Sequence, residues 1–379
     1  MKTRTLLIVL TMLLCTAQIG FSAGFALYEG GARGNVLGGL TGHGDDPSAV
    51  FYNPAGITHL EGSHFMAGTT LISPYADLDL TNSYTGVSRA AELETNVFTP
   101  PHVYYTRQLS EKLWMGLGFF SRFGLGTEYA PDWDGRYSNM ETTIETVQVN
   151  GNLAYKVNDK VSVAFGLNVL YFSASLESAI DATLLTGEPH NNPDTTELDV
   201  VQHIEDDTFT VGFNAAVHYT PSDRWGFGLT YNSGMDVDLK GVAAFTYDAT
   251  LPPTWFVDAN VELDTIELPE MIFLGFAYQH NEKWGMGGGA ILTTWSDIPE
   301  LVFNYETPIV VVPGLGVSLD RAVRELHWED TWRYNLGFEY KHNDHMTFMW
   351  GFVYDETPIP DETISYLLPT NSRRLINLG

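Results

Sequence analysis

Cysteine is almost missing from this 379-residue chain: its one example, Cys15, lies inside an N-terminal apolar run. Without it, disulfide frameworks, zinc–thiolate sites and cysteine nucleophiles are excluded together. Basic residues are also scarce, 19 Lys and Arg against 47 Asp and Glu, for a formal net charge of -28. A nucleic-acid partner is therefore not expected, because phosphate neutralisation needs Lys and Arg. The acidity itself reads as solvated loops rather than as a ligand signal. Charged residues of all kinds reach only 17%, below the usual quarter or so. Long hydrophobic runs are missing too. After the N-terminus none approaches the ~20 residues of a membrane-spanning helix. If such a chain enters a membrane it must do so as a barrel, since only helices and closed barrels satisfy their backbone in lipid.

What is present points the same way. Hydrophobic residues make up 44% and aromatics 13%, with 36 Gly and 19 Tyr. That is too apolar for disorder and too rich in Gly and aromatics for a helical bundle. Lys2 and Arg4, the apolar residues 6–17 and the small pair Ser22 and Ala23 form a secretory signal peptide over 1–23. Residues 24–62 follow as a glycine-rich segment with Phe25, Leu27, Tyr28, Val36, Leu37 and Phe51 among the glycines. A linker would not expose so many apolar side chains. The stretch 43–56 holds Asp45, Asp46, Pro47 and Pro54 around Ala49, Val50, Phe51 and Tyr52. Its prolines forbid a regular helix or central strand, while its apolar centre needs burial. A compact irregular element held inside a container is the economical reading.

From about residue 62 onward the pattern has period two. In 161–172 the odd positions are Val161, Val163, Phe165, Leu167, Val169 and Tyr171, and the even ones begin Ser162, Ala164, Gly166 and Asn168. Alternation of this kind suits a core-facing or a lipid-facing strand equally well. A repeat favours lipid. Five times an aromatic strand end passes through a short polar turn into the next strand, at Tyr105 to Trp114, Tyr155 to Val161, Tyr219 to Trp225, Tyr278 to Trp284 and Tyr340 to Met346. Long polar segments, 177–207, 235–264 and 296–329, lie between these turns. Short turns alternating with long loops are the signature of an outer-membrane barrel with its short turns in the periplasm. Tyr and Trp beside each turn fit an interfacial girdle. The strands are placed at 63–78, 97–109, 112–122, 142–157, 160–175, 206–219, 224–234, 264–280, 283–295, 328–341 and 345–355, with a further one starting at Arg373. The fold class is all-β, an antiparallel transmembrane barrel.

Four motifs in order then resemble the FadL family of outer-membrane long-chain fatty-acid and hydrocarbon transporters. They are the glycines 30–39 with Asp45, Asp46 and Asn53, Pro54, Ala55, Gly56; the run from Arg122 through Tyr129 with Trp133, Gly135, Arg136 and Tyr137; Trp332 through Gly337; and Tyr354 through Asp361 leading to Leu368, Pro369 and Arg373. The resemblance implies a barrel of about fourteen strands, of which 11 or 12 are found here, the last ones being missing from this chain. It implies a hatch over 24–62 inside a barrel built from 63–379. It further implies a monomer in the outer membrane of a Gram-negative bacterium, among lipid and lipopolysaccharide, with no cofactor. Its ligand is a long-chain fatty acid or hydrocarbon, captured by a greasy groove on the extracellular loops. A shift of the hatch then opens a lateral gap at a kink in strand three. Asn53, Pro54 and Ala55 are the expected gate element facing that kink, and Phe123, Gly124 and Leu125 the expected kink. The family often has Pro before Phe-Gly at this point; this chain has Arg122. A ligand carboxylate would need a cation, for which Arg33, Arg122, Arg136 and Arg333 are the candidates; a neutral hydrocarbon would need none. General porin, adhesin-like barrel and outer-membrane lipid hydrolase are the competing readings.

Enzyme signatures are weak. Gly20, Ser22 and Gly24 match a hydrolase elbow, yet they straddle the signal cleavage site and follow no strand. His342, Asp344 and His345 fall in a tight turn rather than in a metal site, and Asp132 with Asp134 lacks the later ligands of a calcium loop. No catalytic residue and no metal are expected.

Overall fold

A computed structural model describes residues 24–81, 88–183, 198–247, 255–309, 311–312 and 317–379. The expected signal peptide over 1–23, Cys15 and all but the last residue of the elbow-like run lie outside the described residues.

Successive antiparallel strands form the wall: β1 (Ser63–Thr69), β2 (Pro101–Gln108), β3 (Leu113–Phe120), β4 (Glu141–Lys156), β5 (Val161–Asp181), β6 (Asp199–Ser222), β7 (Trp225–Asn232), β8 (Met271–Gln279), β9 (Trp284–Thr293), β10 (Thr331–Asn343), β11 (Met346–Asp355) and β12 (Arg373–Leu378). Each pairs with the next. Among the described residues β1 and β12 are not paired with each other. The five short turns read from the sequence join β2 to β3, β4 to β5, β6 to β7, β8 to β9 and β10 to β11, all at one end of the wall. No helix among the described residues is long and apolar enough to cross a membrane, a statement that leaves crossing by strands untouched.

The alternation resolves with its large side outward. Phe165 and Leu167 on β5 are 55% and 62% exposed, Phe209 and Val211 on β6 71% and 72%. Their inward neighbours are small or polar and buried. Gln148, Asn150 and Asn152 of β4, Asn168 of β5 and Asn214 of β6 share one amide network: Gln148 Nε2 donates to Asn168 Oδ1 at 2.9 Å, Asn150 Nδ2 to Asn214 Oδ1 at 2.9 Å, and Asn214 Nδ2 to Asn152 Oδ1 at 2.8 Å. This is a core turned inside out, as lipid outside and a polar lumen require.

The strands exceed their expected bounds at the long-loop end. β6 spans 24 residues, and its tip pairs with Lys240–Tyr247, which pairs with Ala259–Leu263, then Glu300–Tyr305, then Arg321–Glu325. Much of the segments expected as loops is thus a sheet standing on the wall. These strands are short, five to eight residues each, and carry apolar faces such as Ala259, Val261 and Leu263, but they are embedded in long stretches rich in acids and prolines that read as loop. Conversely β1 stops at Thr69, short of the expected 78; an isolated bridge joins Ile72 to Phe98, and Asp77–Thr81 pairs with Ser88–Glu92 as a separate hairpin.

Residues 24–62 lie against the inner side of this wall. Helix α1 (Ala32–Leu37) ends at Gly38, whose φ of 78° only glycine adopts freely. The chain then runs across the inward glycines of successive strands. A Cβ on Gly351 of β11 would stand 2.0 Å from Val36 O, one on Gly337 of β10 2.8 Å from Leu37, and one on Gly228 of β7 1.8 Å from Thr41 O. Bare backbone on the wall is what lets a second backbone lie directly on it.

Candidate functional site

One wall strand is broken. β3 keeps register with β4 up to Phe120 opposite Gln148, and a further stretch, Gly124–Glu128, resumes with Gly124 opposite Glu145. Three residues, Ser121, Arg122 and Phe123, therefore stand against two of β4, Thr146 and Val147. One extra residue flips the inward face: Trp114, Phe120 and their even-numbered neighbours point in before the break, Leu125 and Thr127 after it. Of the expected kink residues, Phe123 lies in the break, while Gly124 and Leu125 begin the resumed strand.

Backbone groups left by a broken ladder need partners, and the chain's own N-terminal residues supply several. Leu27 N donates to Arg122 O at 2.7 Å and Gly124 N to Phe25 O at 2.8 Å, around an antiparallel bridge between Ala26 and Phe123. The hydroxyl of Thr146 accepts from Phe123 N at 3.1 Å and donates to Phe123 O at 2.6 Å. Phe25 packs on Phe123 and on Trp295, with ring centroids 5.7 and 4.8 Å apart. Beside the break is a cavity of about 290 Å³, lined by Leu27, Phe98, Phe123, Leu125, Ile144 and Leu368, with Glu29, Glu145 and Arg373 as charged members. Residues 25–27 and Thr146 carried no motif. The signal available was only that Phe25 and Leu27 are too apolar to be left in solvent.

The Asn53, Pro54, Ala55 triplet has a clear local logic. Asn53 ends α2 (Ala49–Tyr52) and caps the 3-10 turn Pro54–His59, its Oδ1 accepting from Ala55 N at 3.1 Å with proline in the first turn. Its amide nitrogen donates to Thr41 O at 3.1 Å and to Val217 O of β6 at 3.0 Å. The triplet's side-chain bonds thus run to β6 and to the neighbouring segment. The residue nearer the break is Phe51 of α2, whose ring lies 4.9 Å from Phe120.

The four candidate arginines are scattered, not gathered. Arg33 donates to both carboxylate oxygens of Glu339 at 2.8 Å and to Asp45 at 2.8 Å. Arg136, at the long-loop end, pairs with Asp199 at 2.5 Å. Arg333 pairs with Asp355 at 3.1 Å, which also takes Arg373, and lies 4.6 Å over the Tyr28 ring. Arg122 has no acid beside it among the described residues; its guanidinium sits 4.4, 5.3 and 5.7 Å over Phe51, Phe120 and Phe273.

At the short-turn end three histidines meet at a cavity of about 540 Å³. His218 of β6 faces Gly42 O at 3.1 Å through Nε2 and His59 Nε2 at 3.2 Å through Nδ1. A carbonyl only accepts, so Nε2 of His218 carries its proton and His59 donates to Nδ1. Burial, then the charge of Arg33, pushes His43 down from 6.5 to about 4; burial, then Lys156, lowers His59. Asp45 and, around His43, Asp46 and Glu339 act in the opposite sense. Released from the wall, such a histidine binds a proton below pH 6.5 that the seated one refuses. Seating is therefore insensitive to pH above that value and weakens as pH falls toward 4, by at most about 2 kcal/mol for His43 at about pH 5. Limited proteolysis of residues 24–62 should accelerate on acidification, and His43→Gln should flatten the profile.

Outward apolar side chains set this wall in lipid, and a lumen occupied by the chain's own residues distinguishes it from an open aqueous pore. The class is an outer-membrane transport barrel. Within it, the chain belongs to the outer membrane protein transport protein family (OMPP1/FadL/TodX), whose model matches residues 13–379. It is 25% identical to the long-chain fatty acid transport protein of Escherichia coli O6:H1 over 95% of this chain and 83% of that relative, and 23% identical to outer membrane protein P1 of Haemophilus influenzae over 97% and 84%. Its fold is similar to the crystal structure of a Pseudomonas aeruginosa FadL homologue, with a TM-score of 0.77, 21% identity and coverage of 95% and 86%. The Pseudomonas putida toluene transporter TodX is similar at a TM-score of 0.68, 17% identity and coverage of 96% and 90%. Family members are transport channels, so the hydrolase reading falls away.

Proposed function

We propose that this chain passes long-chain fatty acids or other hydrophobic compounds through the outer membrane by passive diffusion, as a monomer among lipid and lipopolysaccharide, without a cofactor. Residues 1–23 are removed on export, 24–62 are the hatch, and the exit is lateral, at the break in β3. The observation that carries this reading is the break itself, filled by Phe25, Ala26 and Leu27 rather than by the neighbouring strand. An apolar chain gains about 0.8 kcal/mol per buried methylene and would stay trapped behind a continuous wall. A wall strand whose ladder is completed by a detachable segment gives it a way out. Asn53, Pro54 and Ala55 act in this scheme by holding the hatch on β6, and α2 links them to the break through Phe51.

Deleting Ser121 tests the exit. It leaves two residues against two, so that Phe120 and Gly124 share one register with β4. Uptake of radiolabelled oleate and of toluene by cells relying on this protein should fall to background while the protein still inserts. Undiminished uptake would show that cargo leaves elsewhere.

A further inference from the structure

Of the four candidate cations, Arg122 is the one with no acid beside it among the described residues. It is buried, its Nε has no hydrogen-bond partner, and its Nη1 reaches only the Met271 sulfur at 3.9 Å. It projects from the break in β3 across the lumen to Met271 and Phe273 of β8, with Phe51 of α2 laid over it. Tyr104 of β2 is also fully buried, its ring 5.9 Å from that of Phe120, and its hydroxyl has no hydrogen-bond partner. Desolvating a guanidinium and a phenol without acceptors is costly, and three aromatic faces offset only part of it. Arg33, Arg136 and Arg333 each have the carboxylate they need. Two donors without partners among the described residues, both beside the Phe120 ring at the break in the wall, match one missing partner: an anion with two acceptor oxygens.

We propose that Arg122, with Tyr104 as second donor, is the head-group receptor of this barrel, so that its cargo is an acid-terminated amphiphile, a long-chain fatty-acid anion, rather than a neutral hydrocarbon. This rests on the transport reading above and names its substrate class. The carboxylate pairs with the guanidinium as Phe51 moves off with the hatch, and the Phe120 and Phe273 faces receive the first methylenes. Arg122 thereby ties head-group recognition to the residues that flank the exit, Ser121 and Phe123.

The test compares two probes with one tail, oleate and oleyl alcohol, binding to the purified full-length barrel in detergent, for wild type, Arg122→Met, Arg122→Lys and Tyr104→Phe. Arg122→Met should weaken oleate about tenfold or more, as expected for a lost charge-assisted contact, and leave oleyl alcohol within about twofold. Arg122→Lys, which keeps the charge, and Tyr104→Phe should fall between. Equal losses for both probes would make Arg122 a packing residue and overturn the assignment, as would no loss of oleate in any variant. Wild type that takes oleyl alcohol and toluene but not oleate would overturn the head-group receptor while leaving hydrophobic transport standing. Wild type that binds none of the three would overturn both.

Discussion

Gly228→Leu should turn a plugged lumen into a leaking one. A Cβ at this position of β7 would stand 1.8 Å from Thr41 O and 2.4 Å from Asn53 Nδ2. Both are backbone or tightly held groups, so relief requires the whole stretch around Thr41 to lift from the wall. Lifting it separates Asn53 from Val217 O and His218 from Gly42 O. Each buried polar group left unpaired costs roughly 1–3 kcal/mol, and the overpacking itself a similar amount. The wall should survive, because the side chain at 228 points inward while β7 keeps its pairing with β6 on one edge and β8 on the other. In planar bilayers the variant should therefore show a large steady conductance where the native protein shows little, with residues 24–62 becoming open to trypsin. Conductance unchanged from wild type, with the variant inserted, would mean that the hatch is held from elsewhere.

The wall was legible in the sequence because its signals are local. An outward Phe165 beside an inward Gly166, or Tyr219 and Trp225 bracketing a short polar turn, needs no partner strand to be recognised, and each of the twelve strands overlaps its expected place, with β1 shorter and β5 and β6 longer than expected. The family motifs were local as well. The break was half legible: Gly124 after Phe123 suggests a bulge, and the inward parity changes between Phe120 and Leu125. What fills it was not, because nothing in Phe25, Ala26 and Leu27 announces a pairing with residues nearly a hundred positions away. The same limit governs the arginines. The partner of Arg333 is Asp355, directly opposite in a hairpin, and a register argument reaches it; that of Arg33 is Glu339, 306 positions away in the chain. That Arg122 has none among the described residues depends on everything packed around it, which no local pattern reports. The sheet above the wall escaped for another reason: segments such as Lys240–Tyr247 are short apolar stretches inside long polar loops, and only the long tip of β6 gives them a register.

Residues 25–27 can be locked at the break with one covalent bond. Ala26 and Phe123 face each other as a pair that does not exchange hydrogen bonds, the bonds lying on either side at Leu27–Arg122 and Phe25–Gly124. Such pairs have Cα atoms about 4.5 Å apart, within the roughly 4.4–6.8 Å a disulfide spans. Cys15 is the chain's one cysteine, so with residues 1–23 removed on export, as proposed, Ala26→Cys with Phe123→Cys creates a pair with no competing thiol. Losing the Phe123 ring removes contacts with Phe25, so the reduced pair should transport somewhat differently from wild type; the comparison that matters is the same protein in its two redox states.

That comparison is the initial rate of oleate uptake by cells carrying the double variant, measured after oxidation and again after reduction. If cargo leaves where residues 25–27 close the wall, the oxidised protein should take up oleate at the background rate and the reductant should restore it, with neither single variant responding. Full uptake by protein shown to be cross-linked would contradict a lateral exit at the break in β3.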